Sequence, residues 1–201
     1  MRILRLNGAA LLLALAVSAG AADNKSAFQA KPAADYPHKQ TSEKVTVAAS
    51  VYLTDEQTKE AFGKLNPWRL GVLPVLVVIQ NDGKDAIRVD RVKFVYTLPD
   101  NTHIDATPAA DVKYLQGARQ PGTITSPIGV IVKKPKSPLA EWEIEGRAFS
   151  AKMIPAGQSA SGFVYFQTPA TSDAAVIDVS GLINAATNSE LYYFEIPLPN
   201  K

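Results

Sequence analysis

The sequence predicts an all-β fold, an antiparallel sandwich of two sheets with one or two short helices. From residue 45 onward the chain consists of roughly seven short runs rich in β-branched and aromatic residues, each bounded by Gly, Pro, Asn or Asp. Only two segments carry helix signals. The composition is that of an ordinary globular protein, since 46% of the 201 residues are hydrophobic and 20% are charged.

The first 21 residues have the features of a cleaved bacterial signal peptide. Arg2 and Arg5 form a positively charged start, residues 9–17 are apolar, and residues 19–21 fit the small-residue cleavage motif. The apolar run is too short to cross the ~30 Å hydrocarbon core of a bilayer. We therefore expect export to the periplasm or the extracellular space, and no transmembrane span in the mature chain.

The segment after this leader differs from the rest of the chain. Residues 22–44 are polar and show neither a strand nor a helix period, which predicts a flexible spacer. Residues 45–201 then form a single sandwich domain. Without Arg2 and Arg5, the 21 basic residues become 19 and equal the 19 acidic ones, so the mature chain has no global field to hold nucleic acid.

The domain begins with a strand and a helix. Residues 45–53 alternate imperfectly between apolar and polar side chains and are typical of a strand. Thr54 and Gln57 form a capping box, and acidic residues follow Thr54 in the first turn. These signals predict a short helix over 55–62, ended by Gly63.

Residues 70–79 are apolar in both phases, which means that a strand formed by them has apolar side chains on both faces. Such a strand must be covered on both faces, or by the core on one face and by the preceding helix on the other. Pro74 cannot donate to a ladder, so the first half of this strand should be at an edge or a bulge. Residues 81–84 are a strong turn signal, and 87–98 should return as the partner strand. Within 87–98 the apolar side chains change from one set of alternate positions to the other. One extra residue would bring both groups to the same face, which predicts a β-bulge at Asp90-Arg91.

The remaining elements are shorter. Residues 107–116 predict a second helix, with Thr107 as cap and Pro108 at its first position. A long, partly irregular excursion follows, with one apolar strand at 128–132. Regular strands are expected again over three segments: 161–167, 175–182 and 191–198.

Two parts of the chain resemble a family of bacterial extracytoplasmic immunoglobulin-like domains of unknown function. Residues 75–90 are similar to the family's pair of hydrophobic strands around an Asn turn, which is related in pattern to the water-stress domains of late-embryogenesis-abundant proteins. Residues 154–157 and 162–169 are similar to its Pro-x-Gly and Gly-x-Val-x-Phe segments. The resemblance implies an immunoglobulin-like sandwich in the cell envelope and brings no catalytic residue with it.

The residues that could carry catalysis do not form a known arrangement. Residues 157–162 lack the spacing of a nucleophilic serine motif, and of the two histidines only His103 is placed to act as a base. Glu141, Glu143 and Glu145 are a run on one predicted strand edge, for which a solvated face is the ordinary explanation. We expect no catalytic residue and no cofactor.

Metal binding is also weakly indicated. Two separated histidines without cysteine do not make a zinc or copper site. Residues 81–85 with Asp100 and Asn101 could line a weak calcium site, although turn chemistry alone explains the same residues. The sequence therefore predicts no metal site, and weak calcium binding stays open.

The candidate binding residues are Pro67, Trp68, Arg69 and Tyr193. Trp and Arg beside a proline have the composition of an interface anchor on a rigid loop, although Trp68 could instead plug the end of the sandwich. Tyr193 lies in an aromatic run that places side chains on both faces of its strand, so it is either under a loop or exposed for a partner. Trp142 is expected in the core or in a cross-strand pair.

These observations favour an exported, non-enzymatic envelope protein with a binding or structural role. Its partner would be an envelope protein or a glycan. The alternative is an envelope hydrolase or a carbohydrate-active accessory domain that uses Trp68 or the excursion at 117–147. A hydrolase requires a concave pocket with polar groups converging near His103 or the run at 141–145.

Overall fold

The computed structural model describes residues 28–115, 137–140, 142–191 and 193–199. In these ranges it contains eleven strands in three antiparallel sheets, together with three short α-helices. The strands are β1 (Lys39–Ser42), β2 (Val45–Val51), β3 (Val72–Asn81), β4 (Ile87–Arg88), β5 (Lys93–Thr97), β6 (His103–Asp105), β7 (Met153–Ile154), β8 (Ser159–Gln167), β9 (Val176–Ser180), β10 (Ile183–Asn184) and β11 (Phe194–Pro197). The helices are α1 (Asp55–Phe62), α2 (Ala109–Val112) and α3 (Trp142–Gly146).

Two four-stranded sheets form the sandwich, which confirms the predicted all-β class. The first sheet has the order β1-β2-β3-β8 and the second has the order β11-β9-β5-β6, while a small third sheet has the order β10-β4-β7. The main core lies between the first two sheets, because alternate residues of each strand point inward. Its fully buried members include Leu73, Val75, Val77, Ile79, Tyr96, Phe166, Ile177, Val179, Phe194 and Ile196.

The other face of the first sheet is also buried, as the both-phase pattern of residues 70–79 predicts. Leu76 and Val78 point away from the main core and pack in a second cluster with Phe62 of α1, Val112 of α2 and Ile144 of α3. The molecule therefore has a helical layer on one side of the first sheet and the second sheet on the other. The outer face of the second sheet carries Lys93, Asp178 and Glu195 among other polar residues.

Helix α1 forms as its capping signals predict. The Thr54 side chain accepts a hydrogen bond from the backbone N–H of Gln57, and the Gln57 side chain accepts from the backbone N–H of Thr54. Gly63 ends the helix with φ of 68°. Helix α2 is shorter than the predicted 107–116 segment, and Pro108 rather than Thr107 precedes its first residue.

The predicted pairing of residues 70–79 with 87–98 is wrong. β3 pairs with β2 on one side and β8 on the other, so β4 and β5 belong to the third and second sheets. The chain turns at Asp90-Arg91, where the N–H of Val92 donates to the carbonyl of Val89. This turn, rather than a bulge, changes the apolar phase, because it moves the chain from one sheet to another.

The N-terminal part of the domain differs from the flexible spacer that the sequence predicts over residues 22–44. β1 pairs with β2 in the first sheet, and the ring of Phe28 lies 5.3 Å from that of Phe163. The side chain of Gln40 accepts a hydrogen bond from the N–H of Glu195, 2.7 Å away, and so links the edges of the two large sheets. Strand pairing, a ring contact and this hydrogen bond therefore hold part of the polar stretch against the sandwich.

The opposite edge of the first sheet is covered by the chain after α3. Phe163 donates its N–H to the carbonyl of Arg147 and accepts from the N–H of Phe149. Gly162 makes this approach possible, since a Cβ at that position would lie 2.4 Å from the Cα of Phe149. Pairing of this kind leaves fewer free backbone groups at the sheet edge.

Two sequence predictions lie outside the described residues: the leader at 1–21 and the strand at 128–132. Of the helices in the described ranges, none is both long and apolar enough to span a bilayer.

Burial of Tyr165 predicts a loss of stability at alkaline pH. Burial raises the pKa of Tyr165 well above its ordinary value of 10.0, and its hydroxyl donates to the carbonyl of Ile144 at 2.8 Å. The folded chain thus keeps a proton that the unfolded chain releases above about pH 10. The contribution of Tyr165 to the free energy of unfolding should therefore stay constant below that pH. Above it, the contribution should fall by up to about 1.4 kcal/mol per pH unit.

Urea unfolding between pH 8 and pH 11 measures this slope. Tyr165→Phe should be less stable at neutral pH, because the hydrogen bond is lost, and should show a shallower decline above about pH 10. An equal decline in the variant and the wild type would contradict the assignment to Tyr165.

Candidate functional site

An open groove lies between α1 and the loop that follows it, and the predicted binding residue Arg69 lines part of it. We call it the basic groove. Its cavity is about 560 Å³. The residues that line it are Asp55, Thr58, Lys59, Gly63, Lys64, Leu65, Asn66, Arg69, Leu70 and Pro138.

The loop beside the groove is held by local turns and by the core. Residues Trp68–Leu70 form a short 3-10 helix, and the carbonyl of Pro67 accepts from the N–H groups of Leu70 and Val72 at 2.9 and 3.1 Å. Gly71 adopts φ of 77°, a left-handed conformation that suits glycine. Trp68 is half-buried and packs against the core between the two large sheets. Its ring therefore fixes the loop to the end of the sandwich.

Arg69 is the predicted binding residue that reaches the groove. Its Nη2 donates to Oδ2 of Asp55, while the Asn66 side chain donates to Asp55 Oδ1 at 2.8 Å and accepts from the N–H of Arg69 at 3.2 Å. These bonds form a closed ring between the start of α1 and the loop. The Arg69 and Asp55 side chains are 70% and 59% exposed, so the ion pair contributes orientation more than stability.

Positive charge exceeds negative charge along the groove. Lys59, Lys64 and Arg69 are cationic, and among the described residues that line the groove only Asp55 is acidic. Leu65, Leu70 and Pro138 add apolar surface. The groove can therefore attract anionic groups while it contacts apolar ones.

Sequence patterns indicate the loop but not the rest of the groove. Asp55 has only the signal of a first-turn residue of the helix, and Asn66, Lys59 and Lys64 carry no motif. Tyr193 does not line the groove; it is 59% exposed and immediately precedes β11. The structure therefore separates it from the site at Arg69.

Glu143 and Glu145 do not lie on a strand edge as predicted, because Trp142–Gly146 form α3; Glu141 lies outside the described residues. Ile144 turns inward to the second cluster, while Trp142 is 65% exposed, which corrects its expected place in the core. The Arg147 guanidinium lies 5.9 Å from the Trp142 ring and 5.7 Å from the Phe28 ring. Two positions apart on a helix, Glu143 and Glu145 point in different directions and do not share one edge.

His103 is part of an exposed network on the second sheet. Its Nδ1 lies 3.0 Å from the Thr97 hydroxyl, which donates to Oδ2 of Asp178 at 2.7 Å. The hydroxyl's one proton points to Asp178, so Nδ1 of His103 must be the donor in the other bond. A hydrolytic triad needs the imidazole between the carboxylate and the nucleophile. Here a threonine hydroxyl lies between the imidazole and the carboxylate.

Two residues of the possible calcium site, Asn81 and Asp100, accept hydrogen bonds from backbone N–H groups. Asn81 is fully buried, and its Oδ1 accepts from the N–H of Gly83 at 3.0 Å. Asp100 accepts from the N–H of Thr102, and this bond lowers the pKa of the Asp100 carboxyl. Within the described ranges there is no group of three His, Cys, Asp or Glu side chains that could hold a metal ion.

Comparison with known proteins does not identify a family. No protein-family model matches the chain, and no curated protein matches it. A Bacillus subtilis protein provisionally described as a lipoprotein has a TM-score of 0.37 and 15% identity; the match covers 79% of this chain, which spans 38% of the length of that protein.

Two further solved structures are similar at the same low level. A Northeast Structural Genomics Consortium target has a TM-score of 0.34 and 11% identity, over 80% of this chain and 91% of that one. A Bordetella pertussis protein provisionally described as ApaA has a TM-score of 0.36 and 11% identity, over 83% of this chain and 98% of that one. Similarities of this size establish neither a family nor an activity.

Proposed function

We propose that the chain is an exported, non-enzymatic, immunoglobulin-like protein of the cell envelope that binds a partner through the basic groove. The observation that carries the proposal is the placement of Arg69. Core packing of Trp68 fixes its loop, Asp55 orients its guanidinium, and the side chain stays 70% exposed beside a cavity of about 560 Å³. A preoriented, accessible arginine on a rigid loop is a common determinant of protein binding.

Separate observations support export and the absence of catalysis. Export rests on the charged start, apolar run and small-residue motif of residues 1–21. The non-enzymatic role is supported by the network at His103, in which the carboxylate accepts from a threonine hydroxyl rather than from the imidazole. The immunoglobulin-like family rests on the sequence resemblance of residues 75–90, 154–157 and 162–169.

We expect Arg69→Ala to reduce recovery of the partner from an envelope extract by at least about fivefold, since an interface arginine typically contributes more than 1 kcal/mol. The measurement is capture on the immobilised chain, followed by quantification of each bound component. Arg91→Ala is the matched control, because Arg91 is an exposed arginine that does not line the groove. Equal recovery of every component by wild type and both variants would overturn the proposal.

Folding and binding effects can be separated in the same experiment. Both arginines are exposed, so neither substitution should lower the free energy of unfolding by more than about 0.5 kcal/mol. Trp68→Ala should instead lower both stability and recovery, because Trp68 packs on the core.

A further inference from the structure

We propose that the partner of the basic groove is an acidic peptide segment that also carries apolar side chains. This inference rests on the proposed function and names the chemistry of the partner at the same site. It follows from three independent features of the groove: its charge balance, its apolar lining and the further N–H donors of the Arg69 guanidinium.

The first feature is uncompensated positive charge. Lys59 and Lys64 are exposed, and neither forms an ion pair with a described residue. The groove's carboxylate, Asp55, is already engaged by Arg69. Helix α1 also carries Glu56 and Glu60, but these side chains do not line the groove. The groove itself therefore presents two lysines to an incoming carboxylate.

The second feature is the apolar part of the lining. Leu65 and Leu70 are half-buried at the loop, and Pro138 lines the same cavity. An apolar side chain placed there gains by leaving water, at roughly 25 cal/mol for each Å² that it buries. A strongly hydrated anionic polysaccharide has few such groups. The lining therefore favours a peptide over an anionic glycan.

The third feature is the geometry of the arginine. One nitrogen of the Arg69 guanidinium donates to Asp55, and the group has further N–H donors in a fixed plane. Because Asp55 and the loop hold that plane, a second carboxylate can bind without ordering the side chain anew. Glutamate or aspartate of a partner fits this planar donor set.

The test uses the purified chain and a fluorescent peptide of about twelve residues, with leucine at every third position and glutamate or serine at the others. Fluorescence anisotropy gives its Kd at low and moderate salt. Two control peptides replace glutamate by glutamine or leucine by serine. Heparin, tested in parallel, represents an anionic polysaccharide.

We expect the peptide to bind and both control peptides to bind at least about fivefold more weakly. The double variant Lys59→Gln with Lys64→Gln should also bind the peptide about fivefold more weakly. The matched double variant, Lys93→Gln with Lys152→Gln, removes two exposed lysines that do not line the groove and should leave the Kd unchanged.

Four results would overturn the inference: no peptide binding, equal binding of the leucine-free peptide, tighter binding of heparin, or self-association of the chain that requires Lys59 and Lys64. If one of these occurs while Arg69→Ala still abolishes capture from the envelope extract, the groove binds a partner of different chemistry. If capture is also unaffected, the proposed function fails as well.

Discussion

Phe163→Ala is expected to lower the free energy of unfolding by about 4 kcal/mol. Phe163 is 1% exposed and lies at the centre of the second cluster. Its ring centroid lies 4.6 Å from that of Phe62, 5.0 Å from that of Tyr52 and 5.3 Å from that of Phe28. Truncation removes contacts with the sheet, with α1 and with the N-terminal segment at once, and the surrounding backbone cannot collapse into the space.

Equilibrium unfolding in urea measures the change. Tyr193→Ala removes an aromatic ring from a position that is 59% exposed and should cost less than about 0.5 kcal/mol. Because Phe28 rests on Phe163, limited proteolysis of the Phe163→Ala variant should cleave near Lys31 faster than in the wild type. A loss of stability no larger than that of the Tyr193 variant would show that the cluster does not hold the helical layer.

Elements that are determined by residues close together in the chain could be predicted from the sequence. The capping box at Thr54 and Gln57 and the glycine at position 63 define α1 within the chain segment itself. The both-phase pattern of residues 70–79 predicted burial on two faces, and the structure supplies the second sheet for one and helices for the other. Such features depend on residues only a few positions apart.

Pairings between distant segments could not be predicted in the same way. The turn at 81–84 suggested a hairpin, but the second neighbour of β3 is β8, which does not begin until Ser159. The pattern along 87–98 indicates that the apolar positions change phase. It does not distinguish a bulge from a change of sheet as the cause. In α3, five residues are too few for a helical period to be distinguished from strand alternation.

The candidate site likewise combines residues that a local sequence signal indicates with residues that only the fold brings together. Pro67, Trp68 and Arg69 are recognisable because an aromatic and a cationic residue follow a proline. Lys59 and Lys64 are ordinary surface lysines in the sequence, and only the fold brings them to the same groove as Arg69 and Pro138. A groove assembled from a helix, a loop and a segment some seventy residues later has no sequence motif of its own.

Asn81→Asp is expected to lower the free energy of unfolding by at least about 3 kcal/mol at pH 7, although the two side chains have nearly the same shape. Asn81 is fully buried. Its Nδ2 donates to the carbonyls of Asp85 and Ile154 at 2.9 and 3.0 Å. The substitution replaces this donor with an oxygen that faces two carbonyl oxygens, and it places a negative charge at a fully buried position.

The pH dependence distinguishes this cause from a simple packing defect. Burial and the two carbonyls should raise the pKa of the new carboxyl above its unfolded value of about 3.9. The stability difference between variant and wild type should therefore be smallest near pH 4 and should grow as the pH rises toward 7, because the unfolded chain releases the proton first. Urea unfolding across this range measures it. Asn101→Asp, at an exposed turn position with φ of 63°, should show neither the loss nor the pH dependence. A difference that stays constant with pH would mean that the loss comes from the missing amide donor and not from a buried charge.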